Sequence, residues 1–160
     1  MSAGSGTKGA RRVEVVVEGI RPPRWKGRLA AFCARAMTAA GFQAWDVSIL
    51  LCGNERMAAL NERYRGKKGP TDVLSFLRDE TDPSRGLVAG DLALSLEMLR
   101  ANAAAFACTE EEELKRLAVH GLLHLAGMDH GRGHGGRMLA LQERLLRDLE
   151  SERIVEGKTL

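Results

Sequence analysis

The run HGLLHLAGMDH, residues 120–130, holds three of the chain's four histidines at spacings that suit a metal ion. His120 and His124 are four residues apart, which on an α-helix stacks both side chains on one face and lets two imidazoles reach one ion. Gly127 stands where a helix ends through a left-handed residue, so the chain can fold back and bring His130 to the same ion. Three neutral imidazoles favour zinc among common divalent ions, and three protein ligands leave a fourth position open, as in catalytic rather than structural sites. An ion so held lowers the pKa of water from about 15.7 to about 7, which makes hydroxide available at neutral pH. The expected centre is one zinc ion per chain on His120, His124 and His130. His134, in the glycine-rich run GRGHGGR, reads as a surface-loop residue and not as a ligand.

Metzincin proteases share this ligand spacing but carry, directly after the first histidine, a glutamate that serves as general base. Here that position is Gly121, which cannot take a proton from water. Glycine inside a helix costs up to about 1 kcal/mol relative to alanine, so its presence points to a close approach, by substrate or by neighbouring backbone.

Length and charge bound the scaffold that must hold these groups. At 160 residues the chain is large enough for one self-supporting domain, expected over residues 11–160, behind a small polar tail at residues 1–10 that reads as disordered. Cys33, Cys52 and Cys108 are odd in number, lack C-x-x-C pairing and sit among apolar neighbours, which suits reduced core thiols in the cytoplasm. No apolar run approaches the ~20 residues of a membrane span, and the N-terminal residues lack a signal-peptide core. The expectation is a soluble, cytoplasmic protein with no membrane partner. The net charge of +3 hides an asymmetry: residues 1–70 hold 13 Lys and Arg against 5 Asp and Glu, the remainder 11 against 16. A basic half suits a polyanion such as nucleic acid, although charge alone fits an ordinary solvated surface equally well.

Hydrophobic periodicity supplies the elements. Strands are expected at residues 12–18, 44–52, 72–77 and 87–95, the third of them buried. Helices are expected at residues 25–40, from an N-cap at Asn54 to Tyr64, from a Ser95 cap to Ala107, from a Thr109 cap through the metal segment, and at residues 135–152, with a frayed end. Glu112 forms a capping box with Thr109, and the four glutamates at 110–113 suit the positive end of the helix dipole. The glycine-rich loop RGKKGP carries Arg65, Lys67 and Lys68, and Gly90 before Asp91 is consistent with close backbone approach. The fold class is α+β: a single domain with about four strands in one sheet, covered by helices, with a central metal-binding helix.

Taken together, the metal segment and the basic loop give the chain a close resemblance to the YbeY family of bacterial endoribonucleases, also called rRNA maturation factors. The family pattern H-G-x-x-H-L-x-G-x-D-H is met by His120, Gly121, His124, Leu125, Gly127, Asp129 and His130. A second pattern, N-x-x-Y-R-x-K-x-x-P-T-D-V-L-S-F, is met by Asn61, Tyr64, Arg65, Lys67 and the run from Pro70 to Phe76. A third corresponds to Gly90 through Ser95. Within and just after the second pattern, Lys68 and Leu77 stand where the family often has aspartate and proline.

The resemblance implies a zinc-dependent, single-strand-preferring endoribonuclease, a hydrolase of phosphodiester bonds. Its implied work is maturation of ribosomal RNA, especially the small-subunit 3′ end, and ribosome quality control. RNA is then the substrate, and the ribosome or small subunit with its assembly factors the partner. By the same resemblance His120, His124 and His130 hold the zinc and Arg65 is the catalytic residue near it. A guanidinium can pair bidentately with phosphate oxygens as their charge grows. Lys67 and Lys68 join Arg65 as RNA-binding residues whose contribution should shrink at high salt. Two residues stay open: Arg65 could instead make a helix-end salt bridge, and Asp129 could orient a zinc histidine or simply hold the turn. The competing functions are a zinc metallopeptidase-like hydrolase, opposed by Gly121, and a non-catalytic zinc-stabilised ribosome assembly factor.

Overall fold

A computed structural model describes residues 9–128 and 135–155. The expected tail, up to residue 8, and Asp129, His130 and His134 lie outside the described residues. Four strands, β1 (Arg11–Val17), β2 (Ala44–Cys52), β3 (Val73–Leu77) and β4 (Leu87–Ser95), form one sheet in the order β1-β2-β4-β3. The first, second and fourth run parallel, while β3 lies antiparallel on the edge beside β4. Parallel neighbours require crossovers, and α1 (Lys26–Ala39) provides the one between β1 and β2. The remaining helices are α2 (Asn54–Arg65), α3 (Leu96–Ala105), α4 (Glu110–Leu125) and α5 (Gly135–Asp148), which completes the expected α+β architecture.

Strand alternation decides which helix lies on which face. Val47, Ile49 and Leu51 of β2, with Leu92 and Leu94 of β4, point into the main core beneath α1, α4 and α5. Cys52, Ala93 and Leu74 point the other way and pack with Met57 and Leu60 of α2 in a smaller cluster edged by Leu50 and Phe76. An edge strand has one neighbour, so β3 is half-buried rather than buried as expected: Leu74 is covered, whereas Leu77 is 53% exposed.

Helix caps agree with expectation at two sites and differ at a third. Ser95 Oγ accepts from Met98 N at 3.2 Å, and Thr109 Oγ1 accepts from Glu112 N at 3.0 Å. Asn54 is not a cap. Gly53 takes that position, because Asn54 Oδ1 accepts from Ser95 Oγ at 2.6 Å and its backbone N–H donates to Glu97 Oε1 at 2.9 Å.

The glutamates of the first turn of α4 do more than face the dipole. Glu111 is buried and its carboxylate accepts from the backbone N–H of Ile154 and of Val155, both at 2.6 Å. Lys115, also buried, donates to the carbonyls of Leu149 and Glu150 at 3.2 Å each. The segment after α5 is therefore clasped as far as Val155, where the sequence suggested fraying. Glu111→Gln turns an amide N–H toward one of those donors and removes a charge-assisted bond, so stability should fall by about 2 kcal/mol in urea denaturation.

All three cysteines are free. Burial pushes the Cys33 thiol up to about 12 and the Cys52 thiol to about 11, so neither is a thiolate at neutral pH. Among the described residues no helix is long and apolar enough to cross a membrane.

Candidate metal centre

Helix α4 runs through the core, with the face of Leu114, Leu117, Ala118, Leu122 and Leu125 covered. Its central glycine is what lets it lie so close to the sheet. A Cβ at Gly121 would stand 2.9 Å from Leu92 Cδ2, 3.1 Å from Leu92 Cδ1 and 3.3 Å from Val73 Cγ2. The partner anticipated at Gly121 is thus the sheet's own side chains, and neither substrate nor backbone. One turn later the gap is on the strand: a Cβ at Gly90 would meet Leu125 Cδ2 at 2.5 Å and the Phe76 carbonyl oxygen at 2.6 Å.

With Gly121 pressed on the sheet, the histidines are turned roughly 60–100° away around the helix axis. His120 and His124 are half-buried, their rings edge to face at 4.5 Å and their Nε2 atoms 3.0 Å apart. On the far side of the His120 ring, Nδ1 lies 3.0 Å from Oε1 of Gln142, a buried residue of α5. A carbonyl oxygen only accepts, so this contact is a hydrogen bond in the Nδ1–H tautomer of His120, the form whose lone pair is on Nε2, toward His124. The helix then stops as anticipated. Gly127 adopts φ +86°, with Gly127 N–H donating to the His124 carbonyl at 2.9 Å and Met128 N–H to that of Leu123 at 3.1 Å, a Schellman pair. His130 lies just beyond, outside the described residues, and among the described residues no third His, Cys, Asp or Glu completes a metal-binding cluster with the pair.

The basic loop begins where α2 ends. Gly66 is left-handed at φ +65°, and its N–H and that of Lys67 donate to the carbonyls of Glu62 and Asn61 at 3.0 and 3.3 Å. Asn61 Nδ2 donates across the loop to the Gly69 carbonyl at 2.9 Å. Arg65, Lys67 and Lys68 are exposed, and no side-chain hydrogen bond or ion pair of theirs falls among the described residues. The helix-end salt bridge is therefore not what Arg65 does, and it does not bond to either described histidine.

What fastens this loop was not read from the sequence. Asp72 Oδ1 accepts from Val73 N–H at 2.8 Å, and its Oδ2 accepts from Asn102 Nδ2 at 3.0 Å. Asn102 Nδ2 also donates to Glu113 Oε2 at 3.1 Å, which ties the loop to α4. Arg116 completes the chain on Glu113, and this contact raises its already high pKa. Val73, next after Asp72, packs on Gly121 beside His120, so the loop leads from Arg65 to the middle of the histidine helix.

The family model described as Endoribonuclease YbeY matches residues 19–150. The chain belongs to the YbeY endoribonuclease family. It is similar to Endoribonuclease YbeY of Treponema pallidum (strain Nichols), 42% identical over 140 residues, 84% of this chain and 88% of that one. It also resembles the Endoribonuclease YbeY of Geobacillus kaustophilus, 43% identical over 110 residues, 63% of this chain and 70% of the other. A solution structure of a Thermotoga maritima protein shares the fold, with TM-score 0.61 and 24% identity over 92% of this chain and 97% of that one.

The YbeY-family histidines present here fit a zinc ion. Two nitrogens on one tetrahedral zinc stand roughly 3.3 Å apart, a few tenths of an ångström beyond the separation between the His120 and His124 Nε2 atoms. Small ring rotations supply that difference. Neutral imidazole nitrogen is also the donor chemistry zinc prefers.

Proposed function

We propose that this protein is a zinc-dependent, single-strand-preferring endoribonuclease of the cytoplasm. Its proposed substrate is ribosomal RNA, at the small-subunit 3′ end, and its partners are the small ribosomal subunit and its assembly factors, including a part in ribosome quality control. The observation that carries the reading is the pair of imidazoles with Nε2 atoms 3.0 Å apart on a helix whose Gly121 is packed against Val73, the first residue of the strand that follows the Arg65 loop. Family membership supports the same chemistry.

His120 and His124, with His130 as the proposed third ligand, would hold the ion. Zinc when bound supplies a fixed positive charge that polarises a phosphodiester and eases attack on it by a hydroxyl group. Arg65 pairs with the non-bridging oxygens as negative charge builds there. Lys67 and Lys68 hold flanking phosphates, a contribution independent of sequence and weakened by salt. A peptidase reading lacks its base: the position after His120 faces Leu92.

Stripping the metal with a chelator should reduce cleavage of a single-stranded RNA at least about 100-fold, and one equivalent of zinc should restore it. Casein should stay intact throughout. Chelator-sensitive digestion of casein without RNA cleavage would reverse the assignment, and normal small-subunit rRNA ends in cells lacking the protein would remove the proposed biological role.

A further inference from the structure

The apolar stripe of α5 is interrupted by an amide. Met138 and Leu145 are buried on its inner side, as is Leu149 just past its end, and Gln142, at helical spacing between Met138 and Leu145, is buried with them at 6% exposure. A buried primary amide without partners costs free energy that leucine at the same place would not. The contact that accounts for it is the one to His120 Nδ1 at 3.0 Å.

From this geometry we propose that Gln142 is a positioning residue for metal capture, which fixes His120 as the Nδ1–H tautomer and keeps its Nε2 lone pair aimed across the face of α4 at the place an ion occupies between the two histidines. A free imidazole distributes its proton over both nitrogens and turns about χ2. Oε1 of Gln142 removes both freedoms, because it can only accept and because the α4–α5 packing fixes where it stands. His120 is thereby prepared before any ion arrives, and the cost of orienting it is met during folding. Such an outer partner also makes α5 part of the centre, although α5 contributes no proposed ligand.

The inference rests on the zinc reading for its consequence but not for its first measurement. In metal-free protein, long-range 1H–15N correlation spectra of the histidine rings should show His120 protonated on Nδ1, and in Gln142→Leu that preference should be lost. Competitive titration with a zinc-binding dye should show about 10- to 100-fold weaker zinc binding in Gln142→Leu. Gln142→Glu, which keeps an accepting oxygen, should stay within about threefold of the parent. Circular dichroism melts of the variants confirm that the fold is kept, and the parent's own spectrum decides the point if Gln142→Leu does not fold. A parent His120 protonated on Nε2, or an unchanged zinc affinity in folded Gln142→Leu, would overturn the inference. A parent that binds no zinc while His120 is Nδ1–H would sink the zinc function alone and leave the orienting contact standing.

Discussion

Gly121→Glu, which rebuilds the H-E-x-x-H sequence of metalloproteases, should yield an unstable protein and no protease. The Cβ alone would come within 2.9 Å of Leu92 Cδ2 and 3.3 Å of Val73 Cγ2. Overpacking of this kind costs about 1–3 kcal/mol. Beyond the Cβ, the carboxylate must either enter the apolar seam between α4 and the sheet or force the helix away from it. A buried, unpaired charge adds several kcal/mol more. The sum, at least ~4 kcal/mol, is a large part of the stability of a domain of this size. Urea denaturation should show the loss, and a casein assay should show nothing gained. A folded variant with chelator-sensitive protease activity would mean that the Gly121 direction opens on the active face, contrary to the packing described. Gly121→Ala, with only the first clash, should lose about 1 kcal/mol, since its better helix propensity offsets part of the strain.

Arg65→Ala should slow RNA cleavage about 100- to 1,000-fold while leaving the fold and zinc content as they are. The side chain is exposed and has no bonded partner among the described residues, so its removal breaks no structural contact. Its loss as a cation in the last turn of α2 is worth at most about 1 kcal/mol of helix-dipole interaction. Removing a donor aimed at developing charge costs about 100- to 1,000-fold in rate. Single-turnover cleavage of a labelled single-stranded RNA measures the effect, beside metal analysis and a thermal melt. Arg65→Lys should recover only part of the rate, because an ammonium cannot pair with two phosphate oxygens in the manner of a guanidinium. Lys67→Ala and Lys68→Ala should instead weaken binding by a salt-dependent few-fold. Full activity in Arg65→Ala would favour the assembly-factor reading, with zinc serving stability.

Much of the architecture was legible because it is written in local patterns. Alternation gave β2 and the run around GDLALS gave β4, both with the bounds found, Ser95 and Thr109 marked two helix starts, and Gly127 marked the end of the histidine helix. The i,i+4 spacing of His120 and His124 placed their rings together for the same reason, since helical geometry alone fixes it. Asn54 misled because a capping residue type can be claimed by a distant partner, here Ser95.

The sequence by itself determined the α+β class, the helix that carries the histidine pair, the exposed basic loop and the family. Each is fixed by contacts within a few residues or by a motif read whole. Only the tertiary structure decided that Gly121 is glycine to admit Leu92 and Val73, that Glu111 clasps the segment at Ile154, that Asp72 fastens the basic loop through Asn102 to α4, and that Gln142 stands against His120 Nδ1. Those partners are many residues apart along the chain, and no periodicity encodes which buried polar group another element will bring within 3.0 Å of it.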